Sequence, residues 1–390
     1  MGLFLLALVV RVICLPVKAY FCDVPLNQMA VETGKMLIQF PGYVPYHLLI
    51  QFIATMTGSV FGSLMLISLT CGVLSMLLCV SVAGDRAGFH GALLVSIVMG
   101  FSLIPVFFSC VGASYATDML AAAGMVYHGN RFIKRKRFPD YYLVLGWFIF
   151  GCLMRPLSFV CAGMVIVYLL FKQFSVVRAV LTSFLLLGGV CLFMVMSIPF
   201  FGSFHSLISA GQTVSTQLQA FSKIQILTNL FRVAIYPLWG LHIFLVMAVV
   251  ILWRSRKELD FEFGLFLLLL GGPYFCLLVR YIPHAGYYCL IFPVLISLPW
   301  VAKNTKIINS HPIVISLTLT VIFLCQIFVV RPVHTLGPVS LVSNVCMFQY
   351  SYMGIKTGMF ETLSSMSYKS GVLREKILEN RVKDVTSKNQ

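Results

Sequence analysis

The sequence has few acidic side chains and few charges of any kind. Only 12 of its 390 residues are Asp or Glu, and charged residues make up 10% of the chain. Motifs that bind nucleotides or build soluble hydrolase sites are also missing, because the chain has no GxxxxGK[ST], no GxGxxG after a strand, no HExxH and no GxSxG. These absences argue against a soluble nucleotide-sugar enzyme and against an ATP-driven pump acting through this chain alone.

Apolar residues take the place of the missing charges. They make up 59% of the chain, and the mean hydropathy is +0.95. They form continuous runs of roughly 17 to 22 residues, which are long enough to cross a hydrocarbon core of about 30 Å as helices. Lipid offers no partner to an open backbone, and continuous runs do not fit the alternation of a barrel strand. The sequence therefore predicts an all-α polytopic membrane protein.

We predict about 11 transmembrane helices from these runs. Their approximate ranges are 2–17, 59–83, 91–110, 114–128, 141–155, 157–171, 179–200, 235–253, 263–279, 287–302 and 312–330. The first run lacks a basic n-region and a clear cleavage site, so we expect a retained membrane helix rather than a signal peptide. In "CLMRPLSFV", Pro156 either breaks one helix into two or only kinks it. Residues 1–330 form the predicted membrane domain, and 331–390 form a short polar tail.

The basic residues predict the orientation in the membrane. The chain carries 28 Lys and Arg and a formal charge of +16. With a cytoplasmic N-terminus, most of these residues fall in cytoplasmic gaps, including the segment "NRFIKRKRF". The loops 18–58 and 201–234 and the tail then lie outside. No basic soluble domain is visible, so no nucleic-acid partner is expected.

Two acids and one arginine at the predicted outer surface are candidates for a functional site. Asp23 follows the first span closely and precedes "PLNQMAVETGKML", which is predicted to be an amphipathic helix along the membrane. Its apolar face holds Leu26, Met29, Ala30, Thr33, Met36 and Leu37. Held there, Asp23 is either a general base or a solvated loop acid. Asp118 opens a span, where it either faces a cavity or favours the helix dipole. Arg155 would pair with an acid or bind an anion.

A late outer loop offers further groups that suit phosphate. The segment "RYIPHAGYYCLIFP" places Arg280, His284 and Tyr287 between two spans. Arg can fork onto a phosphate and His can donate to one, although an interfacial belt of Tyr and Arg has the same composition. His47, in "PGYVPYHLL", shares the outer location and the same two interpretations.

The order of these segments resembles the GT-C superfamily of membrane glycosyltransferases. The segments are an Asp after the first span, then "FPGYVPYHLLIQFIATMTGS", "SYATDMLAA", "GCLMRP" and "RYIPHAGYYCLIFPVL". The protein O-mannosyltransferases and the bacterial aminoarabinose transferases belong to this superfamily. The resemblance covers roughly residues 1 to 330 in topology, through short motifs. It implies a GT-C-like fold, with amphipathic helices in the first outer loop.

The resemblance also implies a chemistry. Asp23 would activate the acceptor, Asp118 would match the acid at a helix start, and Arg280 and His284 would lie near the donor's lipid phosphate. The expected donor is a sugar on polyprenyl phosphate, and the acceptor is a glycan, lipid or protein. Asp23 lacks the neighbouring second acid of some members, so a divalent metal is possible but undetermined. The expected site is periplasmic or lumenal, in a bacterial inner membrane.

Three other interpretations remain at this point. An O-antigen-type polysaccharide polymerase also has many spans and lipid-linked substrates, but the 201–234 loop holds only Lys223 and Arg232. A transporter or flippase often shows inverted repeats, and none is visible here. A subunit without any site of its own is the last possibility.

Overall fold

The structure, a computed structural model, describes the membrane part of the chain with several gaps. The described residues are 2–15, 24–34, 43–172, 174–201, 203, 241, 244–280, 288–303, 315 and 318–321. Most of the predicted loop 201–234, most of the last predicted span and the tail 331–390 therefore lie outside the described residues.

The described residues are mostly helical and contain no strand, which confirms the all-α class. The helices are α1 Gly2–Ile13, α2 Val24–Thr33, α3 Val44–Thr57, α4 Val60–Phe101, α5 Leu103–Cys110, α6 Tyr115–Arg135, α7 Phe138–Met154, α8 Pro156–Phe159, α9 Gly163–Lys172, α10 Val176–Phe201, α11 Phe244–Arg254, α12 Phe261–Arg280 and α13 Tyr288–Ser297. Short 3₁₀ segments, Val160–Ala162 and Leu298–Val301, follow α8 and α13.

Three of the described helices are long and apolar enough to cross a membrane. These segments are Val60–Phe101, Val176–Phe200 and Phe261–Leu278. Shorter apolar helices of 10–17 residues accompany them. On α10, large apolar side chains such as Phe184 and Val195 point away from the protein. Surface of this kind suits lipid rather than water, so the chain is a membrane protein.

Helix α4 contains two helical segments joined at a glycine. Its 42 residues are interrupted at Gly88, which has φ 67° and ψ −155°. Side chains with a Cβ rarely adopt this backbone conformation, so the sequence permits the kink only because residue 88 is glycine. The two parts correspond to the predicted spans 59–83 and 91–110, although the second part already ends at Phe101 and α5 follows separately.

Helix α6 is the centre of the bundle. It packs against α4, α7 and α13, and the residues from Tyr115 to Val126 are all buried. Three consecutive alanines, Ala121 to Ala123, lie in this stretch, and small side chains allow neighbouring helices to approach closely. A helix covers the predicted span 114–128 and continues to Arg135. It is not among the helices of the described residues that are long and apolar enough to cross a membrane, so the span itself stays a prediction.

The first loop contains the two expected short helices. Helix α2 packs on α3 and α4, and neither α2 nor α3 is among the apolar helices that could span the membrane. Of the predicted apolar face of α2, Ala30 is buried, Met29 is half-buried and Thr33 is exposed, whereas the Leu26 side chain and Met36 and Leu37 lie outside the described residues. Val24, Asn27 and Val31, which were not part of that face, are also buried, and α2 packs on α3 and α4.

Arg11 is buried inside the first helix and is held by backbone carbonyl groups. Its Nη1 donates to the oxygen of Gly100 at 3.0 Å, and its Nη2 donates to that of Met99 at 2.7 Å. These carbonyls belong to the last turn of α4, where the helix dipole concentrates partial negative charge. The guanidinium therefore caps α4 and locks α1 onto it.

The end of the bundle opposite Asp118 carries a network of ion pairs. Arg86 Nη1 lies 2.6 Å from Asp260 Oδ2, and Arg86 Nε donates to Asn130 Oδ1 at 2.5 Å. Lys136 and Lys172 both contact Glu262, each at 2.8 Å. The network joins α4, α6, α9 and α12 where the basic segment "NRFIKRKRF" lies. Asp118 and Lys134 are about 24 Å apart along the α6 axis, close to the thickness of a hydrocarbon core.

Candidate active site at the Asp118 end of the bundle

Arg155 lies where helix α7 stops. Proline disfavours the α conformation of the residue before it, and Arg155 has φ −149° and ψ 82°, outside the helical region. Helix α7 therefore ends at Met154, and α8 starts at Pro156, so Pro156 breaks the helix rather than kinking it. Gly151 permits the tight return, because a Cβ there would lie 2.5 Å from the Phe159 ring.

The break directs the Arg155 side chain into the bundle, where it meets Asp118. The two side chains form an ion pair between Arg155 Nη1 and Asp118 Oδ2. The Arg155 guanidinium also lies over two tyrosine rings, 4.3 Å from the centre of Tyr115 and 5.6 Å from that of Tyr43. We call these four residues the Asp118–Arg155 cluster.

Both charged members of the cluster are almost completely shielded from solvent. Asp118 is 0% exposed and Arg155 is 3% exposed. Removing two charges from water is costly, and only close pairing with further polar contacts compensates for it. Tyr274 of α12 and Cys289 of α13 lie near the pair. The cluster itself joins α6 to the residue that precedes α3 and to the α7–α8 break.

A second polar pair lies beside the cluster, between α2 and α3. His47 Nε2 and Asn27 Oδ1 are 2.8 Å apart, and both side chains are fully buried. Tyr43, Tyr46 and His47 share one face of α3 by their spacing of three and four residues. Tyr43 contacts Arg155, and the Tyr46 hydroxyl donates to the Gly112 carbonyl at 3.3 Å. The first turn of α3 therefore connects the His47–Asn27 pair to the cluster.

An apolar cavity adjoins the Arg155 break. Its volume is about 280 Å³, and it lies between α7, α8 and α10, with Leu153, Pro156, Val160, Leu186 and Phe193 among its lining residues. Helix α10 is the most exposed of the three long apolar helices, because only 6% of its most apolar stretch is buried. The cavity is thus at the lipid-facing edge of the bundle, and two of its lining residues flank Arg155 within two positions in sequence.

The structure brings together some of the site residues predicted from the sequence. Asp118, Arg155 and His47 lie at the same end of the bundle. The sequence analysis gave Arg155 two possible roles, pairing with an acid or binding an anion, and the structure shows it paired with Asp118. Arg280 is the last residue of α12, and its side chain lies outside the described part of the chain. Asp23, His284 and Tyr287 also lie outside the described residues. Their catalytic and phosphate-binding roles stay predictions.

The sequence did not predict the tyrosine and asparagine side chains that lie around Asp118, Arg155 and His47. Tyr115 lies one helical turn before Asp118, and that spacing alone places both on one face of α6. Tyr43 lies four residues before His47, and that spacing likewise places both residues on one face. Asn27 and Tyr274 carry no comparable signal, because each meets its partner only through the packing of separate helices.

A metal site is not visible among the described residues. That part of the chain holds no group of three or more His, Cys, Asp or Glu side chains placed to bind an ion. The Asp118 carboxylate already faces a guanidinium, which is a poor arrangement for binding a cation.

Comparison with protein families, with curated proteins and with solved structures finds no match to this chain. The chemistry of the site must therefore be inferred from its geometry. A buried guanidinium held by a carboxylate and covered by rings can stabilise an anion that reaches it. The cavity touches the backbone break through Leu153 and Pro156, and the side chains of Arg155 and Asp118 are not among its lining residues. The cavity suits a hydrocarbon chain, since its lining residues are apolar.

Proposed function

We propose that the protein is an integral membrane glycosyltransferase that moves a sugar from polyprenyl phosphate to an acceptor outside the cytoplasm. The observations that carry the proposal are the buried Asp118–Arg155 pair and an apolar cavity at the bundle's edge whose lining includes Leu153 and Pro156, which flank Arg155 in sequence. A lipid-linked donor has these two parts, a phosphate that needs a cation and a chain that needs an apolar path. The resemblance in segment order to GT-C enzymes is independent support.

The proposed reaction needs a base at one substrate and a cation at the other. The Asp23 carboxylate would take the proton of the acceptor hydroxyl or amine as the acceptor atom bonds to C1 of the sugar. The bond from C1 to the phosphate oxygen breaks at the same time, and its electron pair leaves with the phosphate. Arg155, Arg280 and His284 would stabilise the charge that develops there.

Asp118 has a defined part in this scheme. Its carboxylate pairs with Arg155, so it would fix the direction of the guanidinium. Asp118 would thereby position the cation that meets the phosphate. A direct role in proton transfer is a separate prediction for the same residue.

The test is sugar release from polyprenyl-phosphate mannose or glucose in membranes that supply native acceptors. Asp23→Asn should slow the transfer by about 100-fold or more, as expected for loss of a general base. The matched control is Glu32→Gln, which changes the other acid of the first loop, an exposed residue bonded to Gln28. The control should transfer sugar at the wild-type rate.

Three results would overturn parts of the proposal. The first, full activity in a normally expressed Asp23→Asn variant, would reject Asp23 as the base. The second is long polysaccharide products, which would indicate the polymerase. The third is movement of the labelled lipid across proteoliposomes without chemical change, which would indicate a flippase.

A further inference from the structure

The pair formed by His47 and Asn27 is buried without a full set of hydrogen-bond partners. Within the described residues, His47 Nδ1 and Asn27 Nδ2 have no partner, although both side chains are fully buried. The neighbours on the same faces of α2 and α3 are mainly apolar, among them Val24, Val31 and Ile50. A buried polar atom without a partner costs free energy, so such atoms indicate a missing group.

The pair leaves at least one donor and one acceptor atom unused, whichever way the amide is oriented. If Asn27 Oδ1 accepts from His47 Nε2–H, then Nδ1 keeps a lone pair and the amide N–H is spare. If the amide is turned, its N–H donates to Nε2, so Nδ1 carries a proton and the amide oxygen is spare. In either arrangement, the unused atoms would be satisfied by a group that can both donate and accept a hydrogen bond.

Burial also keeps the imidazole neutral. The pKa of His47 falls from 6.5 to about 4, because the charged form is poorly solvated there. A neutral ring does not attract phosphate as a cation would. An anion would also place its charge against the unused acceptor, and an ammonium group would leave the unused donor unpaired. A hydroxyl group can both donate and accept, so its chemistry matches the unused groups.

The position of the pair links it to the Asp118–Arg155 cluster. Tyr43, one turn before His47 on α3, lies over the Arg155 guanidinium, and the Tyr43 carbonyl accepts the His47 backbone N–H at 2.8 Å. A ligand whose phosphate lies at Arg155 can therefore present a neighbouring sugar ring to α3. His47 then contacts the sugar rather than the phosphate, which revises its predicted role.

We propose that His47 and Asn27 form a subsite that binds a hydroxyl group of the donor sugar. The inference rests on the proposed function, since it assumes a sugar attached to a lipid phosphate. It adds that the protein distinguishes a sugar-bearing lipid from the bare lipid phosphate, and it names the two side chains responsible. The subsite contributes binding and orientation, so His47 and Asn27 are positioning residues.

The test compares two ligands in nanodiscs that hold the full-length protein. The ligands are polyprenyl phosphate carrying mannose and the same lipid phosphate without sugar. His47→Phe and Asn27→Leu should each weaken binding of the mannosyl lipid about tenfold and leave binding of the bare lipid unchanged. His47→Gln keeps a donor and an acceptor and should recover part of the affinity.

Gln28→Leu is the matched control, because Gln28 is next to Asn27 but bonds to the exposed Glu32. It should bind both lipids as the wild type does. Melting temperatures of all variants show whether each one is folded.

The outcomes separate this inference from the proposed function. If the wild type prefers the mannosyl lipid and both substitutions leave that preference intact, a bound water fills the pair and the subsite is wrong. Equal weakening toward both lipids also rejects it, since the residues would then act on the phosphate or on the fold. If the wild type binds neither lipid, the proposed function fails, and the subsite fails with it.

Discussion

At the scale of single residues, the bundle buries two arginines and neutralises them in different ways. Arg11 is surrounded by carbonyl groups of Ala7, Met99 and Gly100, whereas Arg155 faces a carboxylate and two aromatic rings. Carbonyl groups at a helix end are fixed parts of the backbone. A carboxylate and rings on separate helices can instead rearrange around a ligand. Arg11 is therefore structural, and Arg155 is the functional candidate.

The first prediction concerns the Asp118–Arg155 pair. Asp118→Asn leaves Arg155 buried opposite a neutral group, so the free energy of unfolding should fall by about 3–5 kcal/mol. The double variant Asp118→Leu/Arg155→Met removes both charges. Its loss of unfolding free energy should be smaller than the sum of the losses in the single variants Asp118→Leu and Arg155→Met. Unfolding in detergent, analysed as a double-mutant cycle, measures the coupling. Additive costs would contradict a direct pair.

The second prediction concerns pH and His47. Its pKa is about 4 in the folded protein and 6.5 when solvated. As the pH falls from 6.5 to 4, the unfolded chain takes up a proton that the folded protein refuses, so stability is lost on acidification. His47→Gln removes this proton uptake.

Thermal unfolding across this range should therefore show a smaller acid-induced loss for His47→Gln than for the wild type. Groups that titrate in both proteins cancel in the difference. Parallel curves would indicate that His47 is solvated rather than buried.

At the scale of elements, the chain changes direction at two local breaks, one within α4 and one between α7 and α8. Gly88 turns α4 near the ion-pair network, and Pro156 ends α7 beside the site. The breaks differ in kind, since glycine permits an unusual conformation and proline excludes the helical one. Each break also orients an arginine, Arg86 two residues before Gly88 and Arg155 directly before Pro156.

The third prediction tests the break in α4. Gly88→Ala forces a Cβ into a backbone conformation with φ 67°, although nothing lies within 4 Å of the added atom. The expected cost is about 1–3 kcal/mol of unfolding free energy, caused by backbone strain alone. Gly146→Ala in α7 is the control, because it also meets open space but has an ordinary φ. It should leave stability unchanged or raise it slightly. Equal behaviour of the two variants would mean that α4 is not broken at residue 88.

At the scale of the whole molecule, the two ends of α6 have different chemistry. One end carries the Asp118–Arg155 cluster, and the other carries basic side chains together with the Arg86–Asp260 pair. Although burial alone would raise the pKa of Asp260, the hydrogen bonds from Arg86 and the Phe263 backbone lower it below its usual value. The pair therefore stays ionised at neutral pH, and the excess of basic residues predicts that this end faces the cytoplasm.

The fourth prediction concerns this orientation. Ser59 lies at the start of α4 near the cluster end, and Arg135 lies at the end of α6; both are exposed. A membrane-impermeant thiol reagent added outside intact cells should label Ser59→Cys above the background of the native cysteines. Arg135→Cys should react only after the cells are opened. The reverse pattern would place the cluster in the cytoplasm and would exclude an extracytoplasmic transferase.

Part of the site was predictable from the sequence because charged residues are rare within the apolar runs. Asp118 and Arg155 stood out as charges within apolar runs, which membrane helices rarely tolerate without a function or a partner. Their mutual contact was one of two options, since residues 37 positions apart meet only through packing. Asn27, Tyr43 and Tyr274 gave no such signal, because polar and aromatic residues are ordinary at a membrane surface.

The amino-acid sequence by itself determined the helical class, most helix positions in the described range and the charge asymmetry. These follow from local physics, namely the length of apolar runs, the backbone limits of Gly and Pro, and the cost of charge in lipid. The tertiary structure alone decided which face of α2 is buried, which partner neutralises each arginine and which polar atoms are left for a ligand. Those outcomes depend on how separate helices pack, and no local pattern encodes the neighbours that distant parts of the chain will supply.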